Sequence, residues 1–116
     1  MQYLLLIYQS EAQAAQAGPA GQTQMAAEFR TFTQSIIQSG QFKAGDALQP
    51  TSTATTIRVR DGKTLPTDGP FAETREQLAG YYLIDAKTLD DAIAIAARVP
   101  SARTGSVEIR PVRVYQ

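Results

Sequence analysis

Cysteine and histidine are both absent from this chain, and each absence removes a branch of chemistry. Without cysteine there is no disulfide, no thiolate nucleophile and no thiolate metal ligand. Without histidine the commonest metal ligand and the usual neutral-pH base are missing, so any acid–base work falls to carboxylates, tyrosines or lysines. Net charge is missing too: 11 basic and 11 acidic residues are mixed along the sequence and cancel, which leaves no electrostatic footprint for nucleic acid or an anionic membrane surface. The apolar run Tyr3 to Tyr8 is far too short to span a bilayer and is followed by no small-residue cleavage site. A cytoplasmic protein without direct nucleic-acid or membrane contacts is the expectation. Gly-rich phosphate loops, nucleophile elbows, metal-ligand clusters and dinucleotide fingerprints are likewise absent, and neither a metal nor a cofactor is expected.

What is present reads as one domain over residues 1–116, near the size at which a small module often gains stability by pairing with a copy of itself. Tyr3 to Tyr8 is β-prone and continuously apolar, as in a strand covered on both faces. Gln9 to Gln22, rich in Ala, Gln and Gly with Pro19 inside, reads as a mobile connection or a frayed helix entry. From Thr23 the pattern turns helical: Met25, Phe29, Phe32 and Ile36 recur at spacings of four and three, Ile37 widens the stripe and Gly40 closes it. Gln41 to Leu48 suits a strand broken at Gly45 and stopped by Pro50. Thr55 to Arg60 alternates, with Ile57 and Val59 on one face and Thr56, Arg58 and Arg60 on the other. Asp61-Gly62 then predicts a tight hairpin turn into Lys63 to Thr67. Gly80 to Ala86 is a second strand without alternation. Thr88 caps a second helix with Asp90 and Asp91 in its first turn, Leu89, Ala92, Ile93 and Ala96 on its apolar face, Arg98 in its last turn and Pro100 at its end. Val107 and Ile109 alternate in a final edge strand that changes phase across Pro111.

Strand, helix, strand, hairpin, strand, helix, strand is the split βαβ order of a ferredoxin-like α+β sandwich carrying an inserted hairpin. Two helices cover only one face of its sheet. Because two strands are apolar on both faces, the other face predicts a sheet-to-sheet homodimer.

The opening Tyr3 to Tyr8, the segment Glu28-Phe29-Arg30, the run Ala54 to Gly62, the block Asp68-Gly69-Pro70-Phe71 extending to Tyr82, and the ending Gly105 to Val112 together resemble the YCII-related proteins, in the branch marked by its DGPF motif. The resemblance spans nearly the whole chain, the Gln9 to Gln22 loop excepted. It implies a dimeric α/β barrel, the fold of small cofactor-free monooxygenases and lactone isomerases. It also implies two kinds of function. Some YCII relatives carry a His and Asp pair in a cleft, and one acts as a dehydrochlorinase on a hydroxylated aromatic; DGPF relatives are often associated with extracytoplasmic-function sigma factors. By spacing to Gly45, the relatives' histidine position falls on Glu28, so the implied pair is Glu28 with Asp68. Arg75 stands where DGPF proteins commonly have lysine, keeping the charge but losing an amine.

The residues carry their own readings beside that resemblance. Glu28 lies three residues after Met25 and four before Phe32, beside the buried stripe. There it is either an acid or base in apolar surroundings or a carboxylate paired with an arginine. Asp68 either fixes the turn before Gly69 and Pro70 by accepting backbone hydrogen bonds, or also faces a ligand. Phe71 is expected to anchor this loop in the core or the dimer seam. Arg58 and Arg60 suit an anionic ligand or another subunit's acid, or simply solvent. Glu73, Arg75 and Glu76 suit a solvated ion-pair cluster or substrate contacts. Tyr81 and Tyr82 point to opposite sides of their strand, so one hydroxyl can face a cavity while the other ring packs. These residues support two readings: a cofactor-free enzyme in which Asp68, with Glu28, moves a proton on a small organic molecule in an isomerisation, elimination or lyase-type step, or a non-catalytic ligand sensor and accessory partner.

Overall fold

The apolar run near the start of the chain becomes strand β1 (Gln2–Gln9), and burial alternates along it. Tyr3, Leu5 and Ile7 are buried, whereas Leu4, Leu6 and Tyr8 are half-buried. Both faces are apolar, as the sequence suggests, but only one is covered by the chain itself. The computed structural model describes residues 1–115.

After β1 come α1 (Glu11–Gln16), α2 (Gly18–Gln38), β2 (Phe42–Ala47), β3 (Thr55–Arg60), β4 (Lys63–Asp68), β5 (Gln77–Asp85), α3 (Leu89–Ala96) and β6 (Ser106–Pro111), with short 3-10 turns at Thr51–Thr53 and Pro100–Arg103. Four strands form one sheet in the order β2-β5-β1-β6, every pair antiparallel. This is the predicted ferredoxin-like arrangement, with β6 on an edge. Register brings Leu5 opposite Tyr82 and Ile109, and Tyr3 opposite Ile84. Phe32 and Ile36 of α2 and Ala92, Ile95 and Ala96 of α3 close one cluster over that face. Leu5, Ile36 and Ile84 are fully buried, each contributing roughly 1.5–3 kcal/mol relative to exposure.

Several local expectations are corrected. Of the two readings of Gln9 to Gln22, the mobile connection gives way to helix: Glu11–Gln16 forms α1 and the entry of α2 begins at Gly18. Ser10 caps α1 by accepting from the Gln13 N–H at 3.2 Å, and the Ala- and Gln-rich composition is a good helix former. Ala17 separates α1 from α2, which opens at Gly18 (φ +71°) with Pro19 in its first turn. Ile37 is 53% exposed and lies outside the buried stripe. In α3 the covered residues are Ala92, Ile95 and Ala96, while Leu89 and Ile93 face outward. The helix ends at Ala96, short of Arg98, and Pro100 begins the following 3-10 turn. Thr88 caps α3 as expected, accepting from the Asp91 N–H at 3.2 Å.

Strands β3 and β4 form a separate two-stranded sheet. Asp61 (φ 52°) and Gly62 (φ 73°) both adopt the left-handed conformation that a two-residue hairpin turn of this kind demands. This arm leaves the end of the sheet where β2 stops and β5 begins. Its root is tied to α1: the Glu11 carboxylate accepts from the Thr51 N–H at 2.8 Å and the Thr51 hydroxyl at 2.7 Å, while the Glu11 N–H donates to Gln77 at 2.9 Å.

The Thr51 hydroxyl, then its N–H, hold the Glu11 carboxyl below its ordinary value. A depressed folded-state pKa adds stability while the carboxylate is ionised, and that stability is lost as pH falls through the lowered value. The protection factors of the Thr53 and Ala54 amides, taken against the intrinsic exchange rate at each pH, are therefore expected to fall on acidification below the usual glutamate range, and to be lower already at neutral pH in Thr51→Val. Equal protection in parent and variant at neutral pH would refute the anchor.

Candidate functional site

A cavity of about 620 Å³ lies between α2 and the β2–β5 half of the sheet, within the size range of small-molecule pockets. Helix α2 contributes Met25, Ala26, Phe29, Arg30, Thr33 and Gln34; the sheet contributes Ile7 and Gln9 of β1, Phe42 to Ala47 in part, and Ala79 to Tyr82. The helical spacing that lays Phe29, Phe32 and Ile36 on the sheet also turns Met25, Phe29 and Thr33 toward this space. The walls are mainly apolar.

Tyr82 sets the cavity's inner wall. Its ring is 8% exposed and meets Phe32 edge-on at 5.3 Å and Phe42 edge-on at 6.3 Å. Its hydroxyl lies 2.6 Å from that of Thr33 on α2. The ring needs Gly45 opposite it, because a Cβ there would stand 2.7 Å from Tyr82 Cδ1. A glycine that reads in sequence as a strand breaker is thus a seat for an aromatic ring.

Tyr81 is one residue out of phase, and its side chain belongs to the other side of the sheet. There its hydroxyl donates to Asp46 Oδ2 at 2.6 Å, and that hydrogen bond, with the carboxylate's charge, raises the phenol's pKa. Tyr81 is held as a protonated donor, not a base. Arg30 stands exposed at the cavity's border, with no carboxylate in ion-pair distance among the described residues.

The other sequence-predicted residues lie elsewhere. Glu28 is on α2 but faces a different groove, where it pairs with Arg103 at 2.6 Å; of its two readings, the arginine pair is the geometry found. Arg98 stacks over the Phe32 ring at 5.5 Å in the same groove and donates to Ser35. Asp68 ends β4 on the arm, exposed. Nothing among the described residues donates to its carboxylate. The turn is held through Gly69 instead, whose N–H donates to Ala54 O at 2.7 Å and whose carbonyl accepts from Thr56 at 2.8 Å. Glu28 and Asp68 therefore occupy separate places within one chain. Arg58 and Arg60 are exposed on the arm. Glu73 and Arg75 are exposed in the loop after it, and the expected ion-pair cluster does not form among the described residues; Glu76 instead accepts from Ser106 at 2.8 Å. Phe71 is 78% exposed, so the core is not its anchor. Of the predicted set, only Tyr81 and Tyr82 border the cavity. Nothing local in the sequence marks Arg30, Thr33, Phe42, Gly45 and Asp46 as site residues; Met25 and Phe29 show in it only as a helical stripe, which looks the same whether it faces core or cavity. Among the described residues no group of three or more Asp and Glu is placed to hold a metal.

Comparison with known proteins agrees with this architecture. The model of the YCII-related domain matches residues 1–116. An uncharacterized protein of Rhizobium meliloti (strain 1021) is 35% identical over 118 residues, covering 100% of this chain and 95% of that protein.

Two substitutions separate the cavity from the outer groove. Gly45→Ala is expected to push the Tyr82 ring from its seat and cost about 1–3 kcal/mol in chemical denaturation. Glu28→Gln breaks an ion pair whose side chains are 29% and 62% exposed and is expected to cost at most about 1 kcal/mol. A Gly45→Ala chain as stable as the parent would contradict the seat assigned to Tyr82.

Proposed function

The chain belongs to the YCII-related family, and on that premise we propose that it binds a small, largely apolar organic molecule carrying an acidic or hydroxyl group in the cavity beneath α2. One observation carries the reading: an apolar space of about 620 Å³ has at its border the guanidinium of Arg30, which has no ion-pair partner among the described residues, and the Tyr82–Thr33 hydroxyl pair in its wall. Apolar walls supply affinity, while a few fixed polar groups set orientation. Arg30 suits a carboxylate or phenolate, which its planar fork can grip with two hydrogen bonds.

The acid–base form of this reading needs carboxylates at the bound molecule. Asp68 and Glu28 lie outside the cavity, and Asp46 at its border is already engaged by Tyr81. That separation favours binding over carboxylate catalysis within one chain. It also favours the second reading, a non-catalytic ligand sensor or accessory partner of an extracytoplasmic-function sigma factor. The balanced charge suits contact with protein over contact with DNA.

We also propose that two copies pair through the open sheet face. Leu4 lies opposite Leu83 and Leu6 opposite Tyr81 there, all half-buried with no layer of the same chain above them. Self-complementary cover of this kind is what a two-fold homodimer provides.

A thermal-shift screen against aromatic acids, phenols and lactones tests the ligand reading. An acid present at about 100 times its dissociation constant is expected to stabilise the parent by about 2.7 kcal/mol. The shift is expected to shrink in Arg30→Gln and to vanish in Met25→Trp, which fills the cavity. Hits that persist unchanged in Met25→Trp would move the site elsewhere, and a screen without hits would shift weight to the protein-partner reading.

A further inference from the structure

A two-stranded ribbon standing alone in water is at best marginally stable, yet β3 and β4 pair along their full length through Thr55↔Asp68 and Arg60↔Lys63. No other element of the chain shares a sheet with them. The radius of gyration is 16.1 Å, against about 13 Å for a compact chain of this length, in keeping with an arm that projects from the body.

The ribbon is two-sided. Residues directly opposite one another share a side, so Ile57 with Pro66 and Val59 with Thr64 make a mainly apolar side that ends at the arm's root in Thr55 with Asp68, while Arg58, Arg60 and Lys63, with Leu65, belong to the other. Ile57 and Val59 are 55% and 58% exposed. Phe71, in the loop that returns from the arm, is more exposed still. A mainly apolar stripe, with its one carboxylate at the root and three cations behind it, is built to dock on one side and stay wet on the other.

We propose that this arm, with Phe71, clasps a second copy of the chain. The inference rests on the homodimer reading above and adds to it the part that closes the interface. Three observations favour a second copy as the occupant. The molecule measures 47 × 47 × 19 Å, so the arm extends within the plane of the sheet and helix layers; 19 Å leaves no room for it to fold over its own open face. Basic and acidic residues balance within the segment 48–76 itself, four of each, which removes the electrostatic pull of a nucleic acid or an anionic membrane. The open face is also too small alone. Strand spacing and rise give it an outline of roughly 20 by 25 Å, about 500 Å², against the roughly 800 Å² that a standard interface takes from each partner. Two reciprocal arms supply the missing apolar surface.

The test combines sedimentation equilibrium of the parent, Ile57→Lys/Val59→Lys, Phe71→Ser and Leu6→Lys with hydrogen exchange of the 55–68 amides above and below the dimer dissociation constant. The parent is expected to be a dimer whose arm amides slow on association. The arm double variant is expected to keep its melting transition, because it touches no core residue, and to dissociate about a hundredfold more readily; Phe71→Ser is expected to weaken the dimer in the same direction. Leu6→Lys is expected to be monomeric with a fast-exchanging arm. An arm double variant that dimerises as tightly as the parent, or arm amides equally fast in monomer and dimer, would overturn the clasp while leaving the open-face pairing intact. A parent that is monomeric at every concentration overturns both.

Discussion

The seating of the Tyr82 ring over Gly45 is the constraint on which the rest of the site depends. A bulky ring on the helix side of β5 is compatible with close strand pairing only if the residue across from it on β2 has no side chain, and Gly45 meets that condition: a Cβ there would clash with Tyr82 Cδ1 at 2.7 Å. Once seated, the ring is held by edge contacts to Phe32 and Phe42 and by the Thr33 hydroxyl. One side chain therefore fixes α2 relative to two strands. The remaining gap between helix and sheet is the cavity, which exists because Met25, Phe29 and Phe42 border that gap without filling it.

The same sheet divides the molecule's chemistry by face. Even-numbered Tyr82 and Ile84 join the helix-covered side, and odd-numbered Tyr81 and Leu83 the open side. The Asp46–Tyr81 bond thus stands behind the cavity, among half-buried leucines, and a second copy covering that face would place it in a low-dielectric seam, where a charge-assisted hydrogen bond strengthens. The cavity and the open sheet face are opposite sides of one pair of strands. Any shift of β2 against β5 would be felt at both.

Much of the fold was legible because it follows from local rules. The Asp61-Gly62 turn needs two left-handed residues, and this dipeptide supplies them; Thr88 followed by Asp90 and Asp91 starts a helix by capping and charge. The family block around Asp68-Gly69-Pro70-Phe71 was legible as well, and the match over the whole chain agrees with it. The site was less so. Glu28 lies beside an apolar stripe in sequence, but the helix rotates it toward Arg103, 75 residues away, and no local pattern encodes that pairing. Asp68 precedes a turn in the way of a turn-fixing aspartate, but the turn draws its hydrogen bonds from Ala54 and Thr56 across the hairpin. Phe71 belongs to a motif that suggests burial, and within a single chain it is bare.

The sequence by itself determined the order of the strands and the two packed helices though not α1, the turn chemistry, the absence of thiol and imidazole chemistry, and the presence of more apolar strand surface than two helices can cover. These follow from residue type and spacing of two or 3.6, which act over a few neighbours. Only the tertiary structure decided which side of each apolar strand the helices take, that the Tyr82 ring packs under α2 while Tyr81 reaches Asp46, that Glu28 and Asp68 stand apart, and that the arm leaves its own body without a further strand beside it. Each of those outcomes depends on contacts between residues far apart in the chain, set by the register of β1, β2 and β5 and the rotation of α2 upon them, and a period read along one segment carries no information about the segment it will meet.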